Sequence, residues 1–291
     1  MNTKLLTSII YATVFACAFA GEGSKLSDEA LRKRFLEVRN LVDSQGPLKS
    51  VGEEKVLLTE FGTPTRWGII FRSDDLEATL NPFSGRIISL DMRHKKNPAT
   101  AKPRMKEEQA KAIAESYIRK LGSALHPNMK VIHKAFDPST GRWNFAWQRH
   151  IDKYPFPEET IFIAVNDADE RLSAFKDRTT DRRCPTKPVI EEEKAKASAE
   201  LRIKAVLPEM FGKDYKIGTV SRGILQIVYP NGRYLPQDNP GTGSPESKWR
   251  PRLVYSFDFT FDYIGSSDLR IATPPVAVWV DALIGDVVGG L

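Results

Sequence analysis

Cysteine is nearly missing from this chain: Cys17 and Cys184 are the only two in 291 residues. Cys17 lies in an N-terminal stretch that reads as a removable leader, so one thiol would remain and an intrachain disulfide is excluded. Cys184 stands in "TTDRRCPTKP", where Arg182 and Arg183 could lower a thiol pKa. With no histidine near it in sequence, an incidental thiol is the simpler reading. Histidine is also sparse. His94, His126, His133 and His150 are never spaced i, i+3 or i+4, and a lone cysteine does not complete a zinc site. Asp167, Asp169 and Glu170 lack the glycine and further ligands of an EF-hand loop, so they read as a solvated turn. HExxH and G-x-S-x-G do not occur, which removes the two commonest hydrolase signatures. No dense basic block occurs either. The net charge of +6 is spread along the chain, which argues against nucleic acid as a partner but permits loose attraction to anionic envelope polymers.

Long apolar runs are confined to the first residues. Met1–Lys4 is a short basic segment and "LLTSIIYATVF" an apolar one too short to span a bilayer. Ala18-Phe19-Ala20 has the small-x-small pattern of a cleavage site, so export is expected, with residues 1–20 as signal peptide and Gly21 as first mature residue. The alternative is a lipobox-like Val14-Phe15-Ala16-Cys17, which would make Cys17 a lipid anchor, although Phe15 is bulky for that motif. Nothing later in the chain suggests a transmembrane helix.

What is present is ordinary globular material: 41% hydrophobic and 27% charged residues, enough for real cores. Two strings stand out, "EEQAKAIAESYI" from Glu107 and "EEKAKASAELRI" from Glu192. In the first, Ala110, Ile113, Ala114, Tyr117, Ile118 and Leu121 form one helical stripe, with Glu107 and Glu108 in the favourable first turn and Gly122 as a stop. The second gives Ala195, Ala199, Ile203 and Val206, ending by Pro208. A third helix is expected near the start, capped by Ser27, with Leu31, Phe35, Val38 and Val42 inward.

Each helix is followed by strand-like runs. The most regular are "RWNFAWQRH", with Trp143, Phe145 and Trp147 on one face, and "RLVYSFDFTFDY", with Leu253, Tyr255, Phe257, Phe259 and Phe261 on one face. Asp258 and Asp262 share the other face of that run, about 13 Å apart, too far for a glycosidase pair. The clusters end alike. Leu80-Asn81-Pro82-Phe83-Ser84-Gly85-Arg86-Ile87 parallels Val280-Asp281-Ala282-Leu283-Ile284-Gly285-Asp286-Val287. In each, the Asx side chain can cap a hairpin turn and the glycine can take positive φ. Asn166 to Leu172 repeats the pattern with Glu170 where the glycine should be.

A helix plus three or four antiparallel strands therefore recurs, with a period of roughly 80 residues. The expected architecture is α+β: three tandem modules at 21–98, 99–187 and 188–291, each one helix on its own sheet. The boundaries are the polar, proline-bearing stretches "HKKNPATAKPR" and "DRRCPTKP".

The Ala-rich "EEQAKAIA" helix followed by strands and the closing "VWVDALIGDVV" resembles the PepSY family of exported bacterial proteins, including the propeptide-like YcdB/YpeB group. The resemblance covers 106–291 in two copies, with a weaker third at 27–92. It implies a PepSY/cystatin-like fold and a noncatalytic role as propeptide, inhibitor or envelope interaction domain, with a protein or peptide as partner, a protease among the candidates. No cofactor is implied. Trp143, Trp147 and Arg149 are candidate partner contacts, against the plainer reading that the aromatic face lies under a helix. Trp249 and Arg250, in the Pro/Gly loop 234–251, are the others. The competing expectation is an envelope hydrolase whose acids and histidines converge between modules.

Overall fold

The structure is a computed structural model and describes residues 24–42, 44, 48–58, 64–92, 102–231, 233–234, 250–265 and 273–291. The leader, Cys17, His94 and Trp249 lie outside them. Among the described residues, three helices and two antiparallel sheets make an α+β fold.

Helix α1 (Asp28–Leu41) begins as its sequence dictates. Ser27 Oγ accepts the Ala30 amide, and Leu31, Phe35 and Val38 are buried. Strands β1 (Leu48–Leu58), β2 (Pro64–Ser73), β3 (Leu76–Leu80) and β4 (Ile87–Met92) follow. Helix α2 (Glu107–Lys120) buries Ala110, Ala114 and Ile118 and stops at Gly122, whose φ of +84° suits glycine. Strands β5 (Met129–Asp137), β6 (Arg142–Ile151), β7 (Tyr154–Asn166) and β8 (Leu172–Asp177) follow it.

The expectation of a separate sheet per segment is corrected here. The first eight strands form one sheet in the order β1-β2-β3-β4-β8-β7-β6-β5. The seam is β4 against β8, with Ser89 opposite Lys176, Leu90 opposite Phe175 and Asp91 opposite Ala174. The reason is an edge argument. Each four-stranded half ends on a strand with an open backbone side, and pairing the two satisfies both rows of polar groups at once. The cores merge accordingly, so Leu31 and Phe35 of α1 share one cluster with Ala114 and Ile118 of α2 and with Trp143, Phe145 and Trp147 of β6.

Helix α3 (Glu192–Phe211) covers the second sheet. It runs one turn past Pro208, where the sequence expectation ended it, and stops at Gly212, φ +91°. Packing of Phe211 against Tyr215 and Phe261 holds that extra turn, outweighing the proline's lost amide. Strands β9 (Tyr215–Val220) and β10 (Ile224–Val228) both pair with β11 (Arg252–Tyr263), which pairs in turn with β12 (Val276–Asp281), followed by β13 (Val287–Gly290). The outer edge of β13 is covered. Asn231 Nδ2 donates to the Gly290 carbonyl at 2.6 Å and Tyr234 Oη to that of Leu291 at 2.6 Å. A Cβ at Gly290 would sit 2.1 Å from the Ala277 carbonyl oxygen, so only glycine admits this closeness.

Candidate functional site

Two places carry chemistry or exposure that the fold alone does not require. The first is the junction between the sheets. Along β7, Thr160 lies opposite Gln148, but the next β6 residue, Arg149, lies opposite Phe156. Pro157, Glu158 and Glu159 are therefore looped out of the ladder as a wide irregularity, which bends the strand. The bend carries Tyr154 and Phe156 out of the first core into the second, beside Ile227, Tyr229 and Phe257. Glu158 and Glu159 are left at the crossing, both buried.

Glu159 is fully engaged. It takes Arg149 Nη1 at 2.6 Å, the Thr180 amide at 3.1 Å, the Thr180 hydroxyl and the Tyr229 hydroxyl at 2.8 Å. The same guanidinium reaches the carbonyls of Thr180 at 2.7 Å and Arg182 at 2.9 Å. Glu158 differs. Its Oε2 accepts the Tyr229 amide at 2.7 Å, but its Oε1 has no hydrogen-bond partner among the described residues. Burial raises its pKa to about 7, the Tyr229 amide opposes that shift, Glu159 adds to it and Arg178 again opposes it. The Tyr229 phenol is pushed up by the same burial and by Glu159.

The second place is the outer edge of the eight-stranded sheet. Strand β5 pairs with β6 on one side and with no strand among the described residues on the other. Lys130 to Lys134 are exposed, Val131 and Ile132 among them at 40% and 52%. Ile132 is the extra residue of a bulge between Val131–Trp147 and His133–Ala146.

The residues singled out in the sequence are scattered by the fold. Trp143 and Trp147 are only 7% and 3% exposed and lie in the core beneath α2, so their rings are not a contact surface. Alternation along β6 indicates a buried face but not that α2 covers it. Arg149 serves the junction and is not offered to solvent. Arg250 is exposed. Cys184 is buried against the second core, and burial raises its thiol to about 11, opposed only in part by the Leu253 amide and Arg252. Asp167 is not a solvated turn residue. Buried, it accepts the amides of Arg104 at 2.7 Å and Met105 at 2.9 Å and Trp143 Nε1 at 3.2 Å, tying the approach to α2 onto the sheet. Asp258 and Asp262 are exposed on the wet face, as read. Among the described residues no group of acids, histidines and cysteines is arranged to hold a metal ion, and no helix is long and apolar enough to cross a membrane. Glu158 and Glu159 escaped the sequence reading because "PFPEET" looks like a polar turn. Two flanking prolines inside a strand were the available signal.

Part of the chain is similar to a known sequence family. Residues 53–178 match the family model described as the YcdB, YcdC repeated domain. Over this stretch the chain is similar to that family. The match runs from β1 to the residue after β8, across the boundary expected near 98, and agrees with the YcdB/YpeB-like resemblance. In structure the chain is similar to the YpeB C-terminal domain of Bacillus megaterium, with a TM-score of 0.40 and 11% identity over 92% of this chain and 98% of that one. No curated protein matches.

Proposed function

We propose that the chain is an exported, noncatalytic binding or inhibitory protein of the bacterial cell envelope, taking an extended peptide along the outer edge of β5. The observation that carries this reading is the edge itself: an exposed strand, paired on its outer side by no strand among the described residues, that carries the exposed Val131 and Ile132. Strand addition supplies affinity through main-chain hydrogen bonds, and side-chain contacts supply selectivity. The exposed Lys130 and His133 favour acidic residues in the ligand, such as a segment of an envelope protease or its substrate. The bulge at Ile132 divides the edge, so the run His133–Asp137 is the length that can pair regularly. The leader-like N-terminus supports export, and the match to the YcdB, YcdC repeated domain supports the resemblance from which a binding role in the envelope is inferred. We also read the threefold recurrence of helix and closing hairpin as tandem repeats, two of which share a sheet.

The competing hydrolase reading would place its acids at the sheet junction. Glu159 is committed there to Arg149, Thr180 and Tyr229, which favours a structural role for the cluster.

The test is selection of displayed random peptides on the whole protein, followed by amide exchange with a selected peptide bound. Protection should appear across His133–Asp137, and Val131→Glu with Ile132→Glu beside that run should weaken binding about tenfold or more. Peptides that protect other segments and bind the double variant equally would refute the edge as the site.

A further inference from the structure

The junction holds a buried carboxyl with one oxygen unsatisfied, at the one place where β7 passes between the two cores. Such a group is not required by packing. A glutamine or leucine of similar length would fill the space without the cost of burying a charge. Its position also matters, because its one hydrogen bond, to the Tyr229 amide, joins the first sheet's strand to the end of β10 in the second.

We infer that Glu158 makes the docking of the two sheets proton-linked, holding them together when its carboxyl is neutral and loosening them when it is ionised.

The groups that face Glu158 set the sign. On its own strand Glu159, itself paired with Arg149, disfavours a second negative charge. From the segment after β8, Arg178 favours ionisation. Arg182 lies over the Tyr229 ring and acts there. From the second sheet the Tyr229 amide favours the charged form and its phenol, neutral across the physiological range, adds no charge. Burial outweighs these favourable contributions, so the docked carboxyl keeps its proton up to about 7 whereas a solvated one releases it near 4.5. The proton is therefore bound more tightly in the docked form. Docking is strongest below pH 4.5, weakens as the pH rises, and levels off above about 7. The full span corresponds to a change in the docking constant of roughly 300-fold.

The experiment follows the Tyr229 amide by hydrogen exchange, corrected for the intrinsic rate, from pH 4.5 to 8 in the full chain. Protection should fall by about two orders of magnitude in the wild type and stay level in Glu158→Gln, whose carboxamide oxygen can still accept the Tyr229 amide. Equal pH dependence in both proteins, or none in the wild type, would overturn the inference. If Glu158→Gln does not fold, the wild-type Glu158 side-chain carbon, followed by NMR, decides: a midpoint well above the ordinary glutamate value supports the link, and one near 4.5 removes it. Peptide binding at β5 enters neither readout, so failure here leaves the edge proposal standing and the reverse holds equally.

Discussion

At the scale of single residues, the closing hairpins show how little chemistry a turn needs. Asn81 Oδ1 accepts the amides of Phe83 and Ser84, Asn166 Oδ1 that of Ala168, and Asp281 Oδ1 that of Leu283. The residue four positions on is left-handed each time: Gly85 at +67°, Glu170 at +59° and Gly285 at +85°. Glutamate has a Cβ to accommodate there and glycine does not, so Glu170→Gly should raise stability by up to about 1 kcal/mol despite losing an exposed contact with Gln109. Gly285→Ala should lower it by a similar amount, about 1 kcal/mol. Urea midpoints at constant slope measure both. Glu158 gives a pH-dependent prediction. Its ionisation costs nothing below pH 4.5 and costs increasingly up to about 7, for a total of about 3 kcal/mol. Plotted against pH, the stability difference between Glu158→Gln and wild type should therefore move in the variant's favour across that window and then stay flat. The buried amide shifts the whole curve by a constant, so the slope is what denaturant titrations must read.

At the scale of elements, the polar anchors are as consequential as the apolar stripes. The stripe of α2 was legible from its spacing, but the entry to that helix depends on Asp167 across the sheet. Asp167→Ala leaves two amides and an indole N–H without their acceptor and should cost about 3 kcal/mol, with amide exchange accelerating first around Arg104 and Met105. Sequence spacing could not reveal this, because the turn that supplies Asp167 and the segment that uses it are brought together only by packing. Strand β13 gives the parallel case. Its two glycines look like a loose tail in sequence, yet they admit Asn231 and Tyr234 against the edge. A side chain at Gly290 would collide with backbone, so Gly290→Ala should destabilise by about 1–3 kcal/mol and free that edge, visible as a lower melting temperature.

For the whole molecule, the seam between β4 and β8 decides how the chain unfolds. Leu90 and Phe175 face each other across it, both buried in the shared cluster. Residues from α1 to β4 and from α2 to β8 should therefore lose structure in one transition, not two. Phe175→Ala should cost about 3–5 kcal/mol and lower both halves together. Amide exchange under mild denaturant checks this, and a half that opens alone at lower denaturant would show that the seam is weak.

Local matters were legible along the chain: three helices with their inward faces, the strand-rich runs, the Asx turns, and an α+β class with a YcdB/YpeB-like resemblance. These follow from interactions between residues a few positions apart, which spacing records. Packing of the folded chain chose which sheet edges meet, bore out the plainer reading of Trp143 and Trp147 as core, and set two glutamates from a proline-flanked stretch between two cores. Backbone edges carry no side-chain pattern, so alternation shows which face of a strand is buried but not which strand lies beside it.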